Sequence, residues 1–250
     1  MLGHAARARD LSQQAETLRS QFEQAFWCDE LSTYALALDG NKQPCRVRTS
    51  NAGHCLFAGI ATQEHARRVA TTLTDETSFS GWGIRTVASS EARYNPMSYH
   101  NGSVWPHDNS LIAAGFGQYG LKESAAMVLA GLLDASIFLD LHRLPELFCG
   151  FPRRPGESPT LYPVACAPQA WASGAVFLLF EACLGLSISA PERKLVFSKP
   201  LLPPFLPQVT IRDLKVGGAR VDLLLTRHDE GDVGVNVLRR DGEIEIVLLK

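Results

Sequence analysis

The chain has 250 residues, of which 46% are hydrophobic and 20% charged, and its formal net charge is −2 at pH 7. This length is enough for one large domain, or for one domain and a small one, with an ample apolar core. The near-neutral charge argues against nucleic acid as a partner, since such proteins carry a basic excess on one face. Apolar stretches are shorter than the ~20 residues that cross a membrane, so we expect a soluble protein.

The cysteines indicate a reducing compartment. None of the six is part of a Cys-x-x-Cys pair, which argues against a zinc ribbon or a thioredoxin-type site. Residues 1–9 are not followed by the apolar segment of a secretory signal peptide. We therefore expect free thiols and a cytoplasmic location.

The first part of the chain predicts one long helix and a small hairpin. Residues 5–27 carry apolar side chains at helical spacing, with arginine, glutamine and glutamate on the other face. Residues 33–44 are strand-like and turn at Asp39–Gly40, which is typical of a β-hairpin.

Five further helices and two long loops are predicted in the next part. The helices are expected at 51–61, 64–73, 106–119, 122–141 and 168–186. Pro106 suits the first turn of its helix, and Gly120 is a candidate C-terminal cap. The last helix is almost wholly apolar, as expected of one that is buried on most sides. Long loops such as 74–105 and 143–166 are usually functional.

A change of pattern near Pro191 predicts a second region. Strand-like segments lie at 220–226, 233–238 and 243–249, with turns at 229–231 and 241–242. We therefore predict a mainly α domain over residues 1–188 and a small antiparallel β appendage over residues 189–250.

The first long loop is rich in side chains that bind sugars. Flat aromatic rings and planar hydrogen-bonding groups match the apolar faces and the hydroxyls of a sugar ring. The alternative is a well-packed loop whose tryptophans and tyrosines are core residues. The candidate substrate-binding residues are Trp82, Arg85, Tyr99, His100, Asn101, Trp105, His107 and Asp108.

The second long loop places one carboxylate, that of Glu146, among Leu144, Pro145, Leu147 and Phe148. A catalytic carboxylate is one explanation for an acidic residue in so apolar a neighbourhood. A surface glutamate on a turn, or one paired with Arg143, is the other.

Five motifs in fixed order carry a family resemblance. They are Ser-Asn-Ala-Gly-His at 50–54, Ser-Gly-Trp-Gly-Ile-Arg-Thr at 80–86, the segment from Tyr94 to Asn109, Leu-Pro-Glu-Leu-Phe at 144–148, and the segment from Tyr162 to Trp171. Together they resemble the amylo-α-1,6-glucosidase module of glycogen-debranching enzymes and its bacterial relatives. The Asn-Gly-Ser-Val-Trp-Pro-His-Asp block at 101–108 is the most specific of them.

The resemblance implies part of an (α/α)6 toroid and an inverting hydrolase of α-glucosidic bonds. Such enzymes use a general acid and a general base about 6.5–9.5 Å apart. By position, Glu146 would be the base and Asp108 a ligand of substrate hydroxyls or an organiser of the pocket. Gln169 and Trp171 would be further substrate-binding residues. An oligosaccharide or glucan substrate is implied, and no cofactor.

The resemblance also implies that a part is missing. The family's general acid lies in an earlier Gly-Trp-x-Asp-Ser block, which this chain lacks, and the predicted helices fill about half of a toroid. A truncated or split enzyme with an upstream N-terminal half as partner, or a non-catalytic carbohydrate-binding remnant, would explain this. A metal site at His100, His107 and Asp108 is disfavoured, because one of the two histidines lies in a proline-bounded loop.

Overall fold

The computed structural model describes residues 3–228 and 231–250. Within them the order is helical first and β-rich last. The helices are α1 Ala5–Phe26, α2 Asn51–Phe57, α3 Gln63–Thr74, α4 Pro106–Gln118, α5 Lys122–Ser136 and α6 Ala170–Leu184. The strands are β1 Trp27–Cys28, β2 Thr33–Tyr34, β3 Leu186–Ser189, β4 Lys194–Ser198, β5 Gln208–Val216, β6 Ala219–Arg227, β7 Val233–Asp241 and β8 Glu245–Leu249.

All six predicted helices are present, with differences at their ends. Pro106 occupies the first turn of α4, as predicted. The structure ends α5 at Ser136 rather than at residue 141, because the backbone is already extended at Leu139, with φ −102° and ψ 147°. Such angles are incompatible with a right-handed helix.

Helix α4 is the centre of the helical core, where it packs against α2, α5 and α6. Two glycines allow the close crossing of α2 and α4. A β-carbon on Gly53 would lie 2.6 Å from the Ile112 side chain, and one on Gly115 would lie 2.6 Å from the backbone nitrogen of Phe57. This crossing fixes the first turn of α4 relative to His54 on α2.

The β-rich region contains two three-stranded sheets, in the orders β3-β4-β8 and β5-β6-β7. The expected antiparallel appendage is therefore only partly correct, because β4 and β8 pair in parallel. The β5–β7 unit is the connection that a parallel pair requires, and a local strand pattern does not reveal such pairing. The turn at 241–242 is present, with Gly242 at φ 87°. The turn predicted at 229–231 lies partly outside the described residues.

Two hydrophobic clusters are found, one in each region. The helical cluster includes Phe116, Leu129 and Phe148. The other lies between the two sheets and includes Phe197 and Leu223, together with Leu184 at the end of α6.

Helix α6 is less buried than predicted. Its Trp171 is 45% exposed and its Phe177 is 78% exposed, so one face of this apolar helix faces solvent. None of the described helices is long and apolar enough to span a membrane.

Candidate active site

The two long loops lie side by side at one end of the helices. Residues Arg85, Val104, Phe148 and Leu161 are joined in that order by antiparallel bridges. The amide of Val104 donates to the carbonyl of Phe148 over 2.9 Å, and the reverse bond is 3.0 Å long. The two long loops therefore converge in space.

Two glycines bring the loops into direct contact. A β-carbon on Gly150 would lie only 1.6 Å from the carbonyl oxygen of Gly102. Gly102 itself has φ 147°, a conformation that favours glycine. Glycine at these two positions is therefore a condition for the site to assemble.

The side chain of Asn109 connects the first loop to α4 through hydrogen bonds. Its Oδ1 accepts from the Ile84 amide over 2.6 Å, and its Nδ2 donates to the carbonyls of Ile84 and Trp105, each over 3.0 Å. The side chain is fully buried. This structural role was not predicted from the sequence.

Arg85 is buried and holds loop backbones together. Its Nε donates to the Gly150 carbonyl over 2.7 Å, and Nη1 donates to the carbonyls of Glu76 and Thr77, each over 3.1 Å. Burial lowers the pKa of its guanidinium. The expected contact of Arg85 with substrate is therefore corrected: the side chain organises the loops.

Trp82 is likewise a core residue rather than a wall of the site. It is 3% exposed, packs edge-on against Phe138, and lies under the Arg153 guanidinium at 4.4 Å. The alternative interpretation, that this loop uses tryptophan for packing, applies to Trp82.

Glu146 is held by hydrogen bonds to both carboxylate oxygens. The Tyr99 hydroxyl donates to Oε1 over 2.6 Å, and the Cys166 amide donates to Oε2 over 3.3 Å. The backbone amide of Glu146 in turn donates to the Cys166 carbonyl over 2.8 Å. The bond to Glu146 raises the pKa of Tyr99 to about 12, so this tyrosine remains a hydrogen-bond donor at neutral pH.

A chain of aromatic rings leads from Glu146 to α6. The Tyr99 ring lies 4.9 Å from Trp105 and 5.5 Å from Tyr162. Trp105 lies 6.1 Å from Trp171, which stacks on His107 at 4.3 Å. Such rings are suited to bind the apolar faces of sugars.

Asp108 pairs with His54 on the other side of Trp105. His54 Nε2 and Asp108 Oδ1 are 2.5 Å apart, and this bond raises the pKa of His54. Asp108 Oδ2 is buried and has no hydrogen-bond partner in the structure. The same is true of Nδ1 of His107, whose pKa is lowered by burial.

His107 and Asp108 border a cleft of about 350 Å³. Its lining includes Trp105, His107 and Asp108, with the exposed residues His100 and Asn101 at its edge. Gln169 is outside this lining and caps α6, where its Oε1 accepts from the Ala170 amide over 3.3 Å. Among the described residues, no group of three or more histidine, cysteine or acidic side chains is placed to hold a metal ion.

Two residues of the site were missed by sequence reasoning. His54 is part of the Ser-Asn-Ala-Gly-His motif, but its pairing with Asp108 depends on the α2–α4 crossing. Tyr162 begins the last motif and packs on Tyr99. For both residues, membership of a motif was the available signal.

The family model of the mannosylglycerate hydrolase MGH1-like glycoside hydrolase domain matches residues 1–139. The chain belongs to this glycoside hydrolase family. The match supports the glycosidase class and does not distinguish the debranching type expected from the motifs. None of the curated protein sequences matches the chain.

The fold of this glycoside hydrolase chain is similar to the folds of several solved structures. The GH78 rhamnosidase of Bacillus sp. GL1 aligns over 98% of this chain and 23% of its own, with 14% identity and a TM-score of 0.64. Neutral trehalase Nth1 of Saccharomyces cerevisiae aligns over 68% and 30%, with 15% identity and a TM-score of 0.51. The GH63 mannosylglycerate hydrolase of Thermus thermophilus, solved with glucose, aligns over 62% and 34%, with 24% identity and a TM-score of 0.49. The chain thus spans about a third or less of the length of these proteins.

Proposed function

We propose that this chain is part of an inverting glycoside hydrolase in which Glu146 is the general base. The observation that carries the proposal is the fixed carboxylate of Glu146, held by Tyr99 and the Cys166 amide beside a row of aromatic rings. The side chain is 9% exposed, so it is oriented by the protein and still reaches solvent. Family membership supports the reaction class.

In this mechanism Glu146 removes a proton from a water molecule, whose oxygen attacks the anomeric carbon as the glycosidic bond breaks. A second carboxylic acid donates a proton to the leaving oxygen, and the anomeric configuration inverts. Tyr99 donates to Oε1 of Glu146, which fixes the carboxylate while the other lone pairs remain available for water. We propose that the acid comes from a segment outside this chain, an N-terminal half that covers the exposed face of α6.

For the substrate, the motif resemblance favours an α-1,6-glucosidic bond of a branched glucan. The family model is named for a mannosylglycerate hydrolase, which makes an α-mannoside the second candidate. We also propose that the helical and β-rich regions, residues 1–188 and 189–250, are separate domains, a division that the two hydrophobic clusters support.

Glycosyl fluorides test the base without requiring the acid, because fluoride leaves with little proton donation. The 250-residue chain is incubated with α-D-glucosyl fluoride or α-D-mannosyl fluoride, and the first-formed anomer is followed by NMR. We expect the β anomer of one of the two sugars. Glu146→Gln should lower the rate by about 10²–10⁴, as expected for loss of a general base.

Glu157→Gln is the matched control, since Glu157 is in the same long loop with an exposed side chain paired to Arg154. It should retain full activity. An α anomer as first product, or a loss below tenfold in Glu146→Gln, would contradict the proposal. Binding of sugar with no hydrolysis of either fluoride would instead favour a carbohydrate-binding protein without catalysis.

A further inference from the structure

The first turn of α4 presents two buried polar atoms that have no hydrogen-bond partner, Oδ2 of Asp108 and Nδ1 of His107. Both residues line the 350 Å³ cleft. Buried polar atoms in proteins are nearly always hydrogen-bonded, and each exception requires an explanation. Two such atoms on consecutive residues, beside one cavity, indicate a ligand that supplies the missing partners.

The Asp108 carboxylate is oriented by its neighbour on α2. His54 Nε2 is bonded to Oδ1 at 2.5 Å, which leaves Oδ2 as the free acceptor. Asp108 is 9% exposed, so little solvent reaches it. His54 therefore determines which carboxylate oxygen a ligand meets.

The charge of the cleft excludes anionic ligands. Its described lining residues include Asp108 and no lysine or arginine. The nearby guanidinium of Arg85 is engaged by the carbonyls of Gly150, Glu76 and Thr77. A carboxylate on the ligand would meet Asp108, whose partner His54 is already bonded to Oδ1, and would find no lysine or arginine in the lining to pair with, at a cost in free energy.

Aromatic rings lie beside the same atoms: Trp105 and His107 belong to the cleft lining, and Trp171 stacks on His107. His107 and Trp171 are parallel, with an interplanar angle of 6°, and Trp105 lies beside both rings. A sugar ring offers hydroxyl donors at its rim and an apolar C–H face. It satisfies both kinds of surface at once.

We propose that this cleft is a subsite for a neutral sugar ring, in which Asp108 Oδ2 and His107 Nδ1 bind two hydroxyls of the same ring and His54 is a positioning residue for Asp108. The inference rests on the proposed function and adds to it the class of sugar. It places the uncharged sugar unit here. A carboxylated group, such as a glycerate or a uronate, is excluded from this subsite.

The test measures binding and not turnover. The full chain in a Glu146→Gln background is titrated with methyl α-D-glucoside, methyl α-D-mannoside and methyl α-D-glucuronide, and dissociation constants are taken from NMR shifts. We expect one neutral glycoside to bind at least tenfold more tightly than the glucuronide. Asp108→Asn should weaken that binding tenfold or more, the usual range for a lost hydrogen bond to a charged group.

Two substitutions of His54, one of them conservative, test its positioning of Asp108. His54→Ala should weaken binding as Asp108→Asn does, whereas His54→Gln, whose amide also donates a hydrogen bond, should restore most of it. His142→Gln, at an exposed histidine in another loop, is the control. The amide NMR spectrum of each variant shows whether it is folded.

Equal binding of the glucuronide, no binding of either neutral glycoside, or Asp108→Asn binding within twofold of the parent would overturn the subsite. Equal weakening of binding by His54→Ala and His54→Gln would overturn the positioning role of His54. Because binding is measured apart from hydrolysis, an inactive chain that shows the expected affinities would contradict the proposed catalysis and leave the subsite intact.

Discussion

At the residue scale, the two carboxylates of the site differ in their hydrogen-bond partners. Glu146 accepts from a tyrosine that stays protonated, whereas Asp108 is paired with a histidine that titrates. A tyrosine partner keeps its hydrogen bond over the whole physiological pH range, because its pKa is about 12. A histidine partner makes the Asp108 side of the cleft sensitive to pH, because the charge of His54 depends on pH and the bond to Asp108 raises its pKa.

The His54–Asp108 pair predicts a pH-dependent contribution to stability. The pKa of His54 is raised in the folded protein, so its contribution is fully present below the unfolded value of about 6.5 and is lost as pH rises through the folded pKa. We expect His54→Gln to lower the free energy of unfolding more at about pH 5.5 than at pH 9. The neighbouring His107 responds to the same pair: burial lowers its pKa, the charge of Asp108 raises it and the charge of His54 lowers it.

Urea unfolding of both proteins at several pH values measures this difference. His142→Gln is the comparison, because that histidine has an exposed side chain in another part of the structure. A stability difference between wild type and His54→Gln that does not change with pH would show that the pair is not titrating as described.

The residue types predicted a sugar site, but they did not distinguish substrate-binding side chains from structural ones. Trp82 and Arg85 offer the same kinds of group as Trp105 and Asn101, a flat ring and a planar hydrogen-bond donor. Arg85 differs from Asn101 in burial, and Trp82, which is buried like Trp105, differs from it in its partners. Arg85 is surrounded by carbonyls of three residues from two loops, an arrangement that depends on how those loops meet. Sequence periodicity contains no information about such contacts between loops.

At the element scale, the helices could be predicted because their apolar spacing is a local property. The end of α5 and the pairing of β4 with β8 could not. The end of α5 depends on the extended backbone at Leu139, and β8 pairs with a strand that is distant in the chain. The loops were identified as functional by length and composition, while their contact depends on the approach of Gly102 to Gly150.

Asn109 provides a test of how the first loop is fastened to α4. Its three hydrogen bonds to Ile84 and Trp105 are fully buried. Asn109→Ala leaves the amide and the carbonyl of Ile84 without these partners, while the Trp105 carbonyl keeps its bond from the backbone amide of residue 109. We expect the substitution to lower the free energy of unfolding by about 3 kcal/mol. Chemical denaturation measures the change.

The control for this prediction is Asn41→Ala, in an exposed turn, which should change stability by less than about 0.5 kcal/mol. A loss of similar size in both variants would show that the Asn109 bonds do not hold the loop.

At the scale of the whole molecule, the exposed face of α6 predicts self-association. Phe177 is 78% exposed on a helix that is otherwise apolar, and exposed apolar patches are sites of association. We expect the isolated chain to form concentration-dependent oligomers or aggregates, measured by light scattering and sedimentation. Phe177→Gln should reduce them.

Leu141→Gln is a closely matched control, since Leu141 is 79% exposed but lies outside α6. An equal reduction of self-association by both substitutions would indicate a non-specific hydrophobic effect. No reduction by Phe177→Gln would show that this face of α6 is not the site of association. The sequence predicted α6 as buried on most sides, because its composition alone does not show which of its surfaces the described chain covers.

The parallel pairing of β4 with β8 also determines when the β-rich region can be completed during synthesis. Leu195 and Phe197 of β4 emerge from the ribosome well before their partners Ile246 and Leu248. Until then β4 has only β3 beside it, and its other edge remains open to other nascent chains. A ribosome that pauses between residues 199 and 244 therefore holds a nascent chain in which one edge of the apolar strand β4 is unpaired.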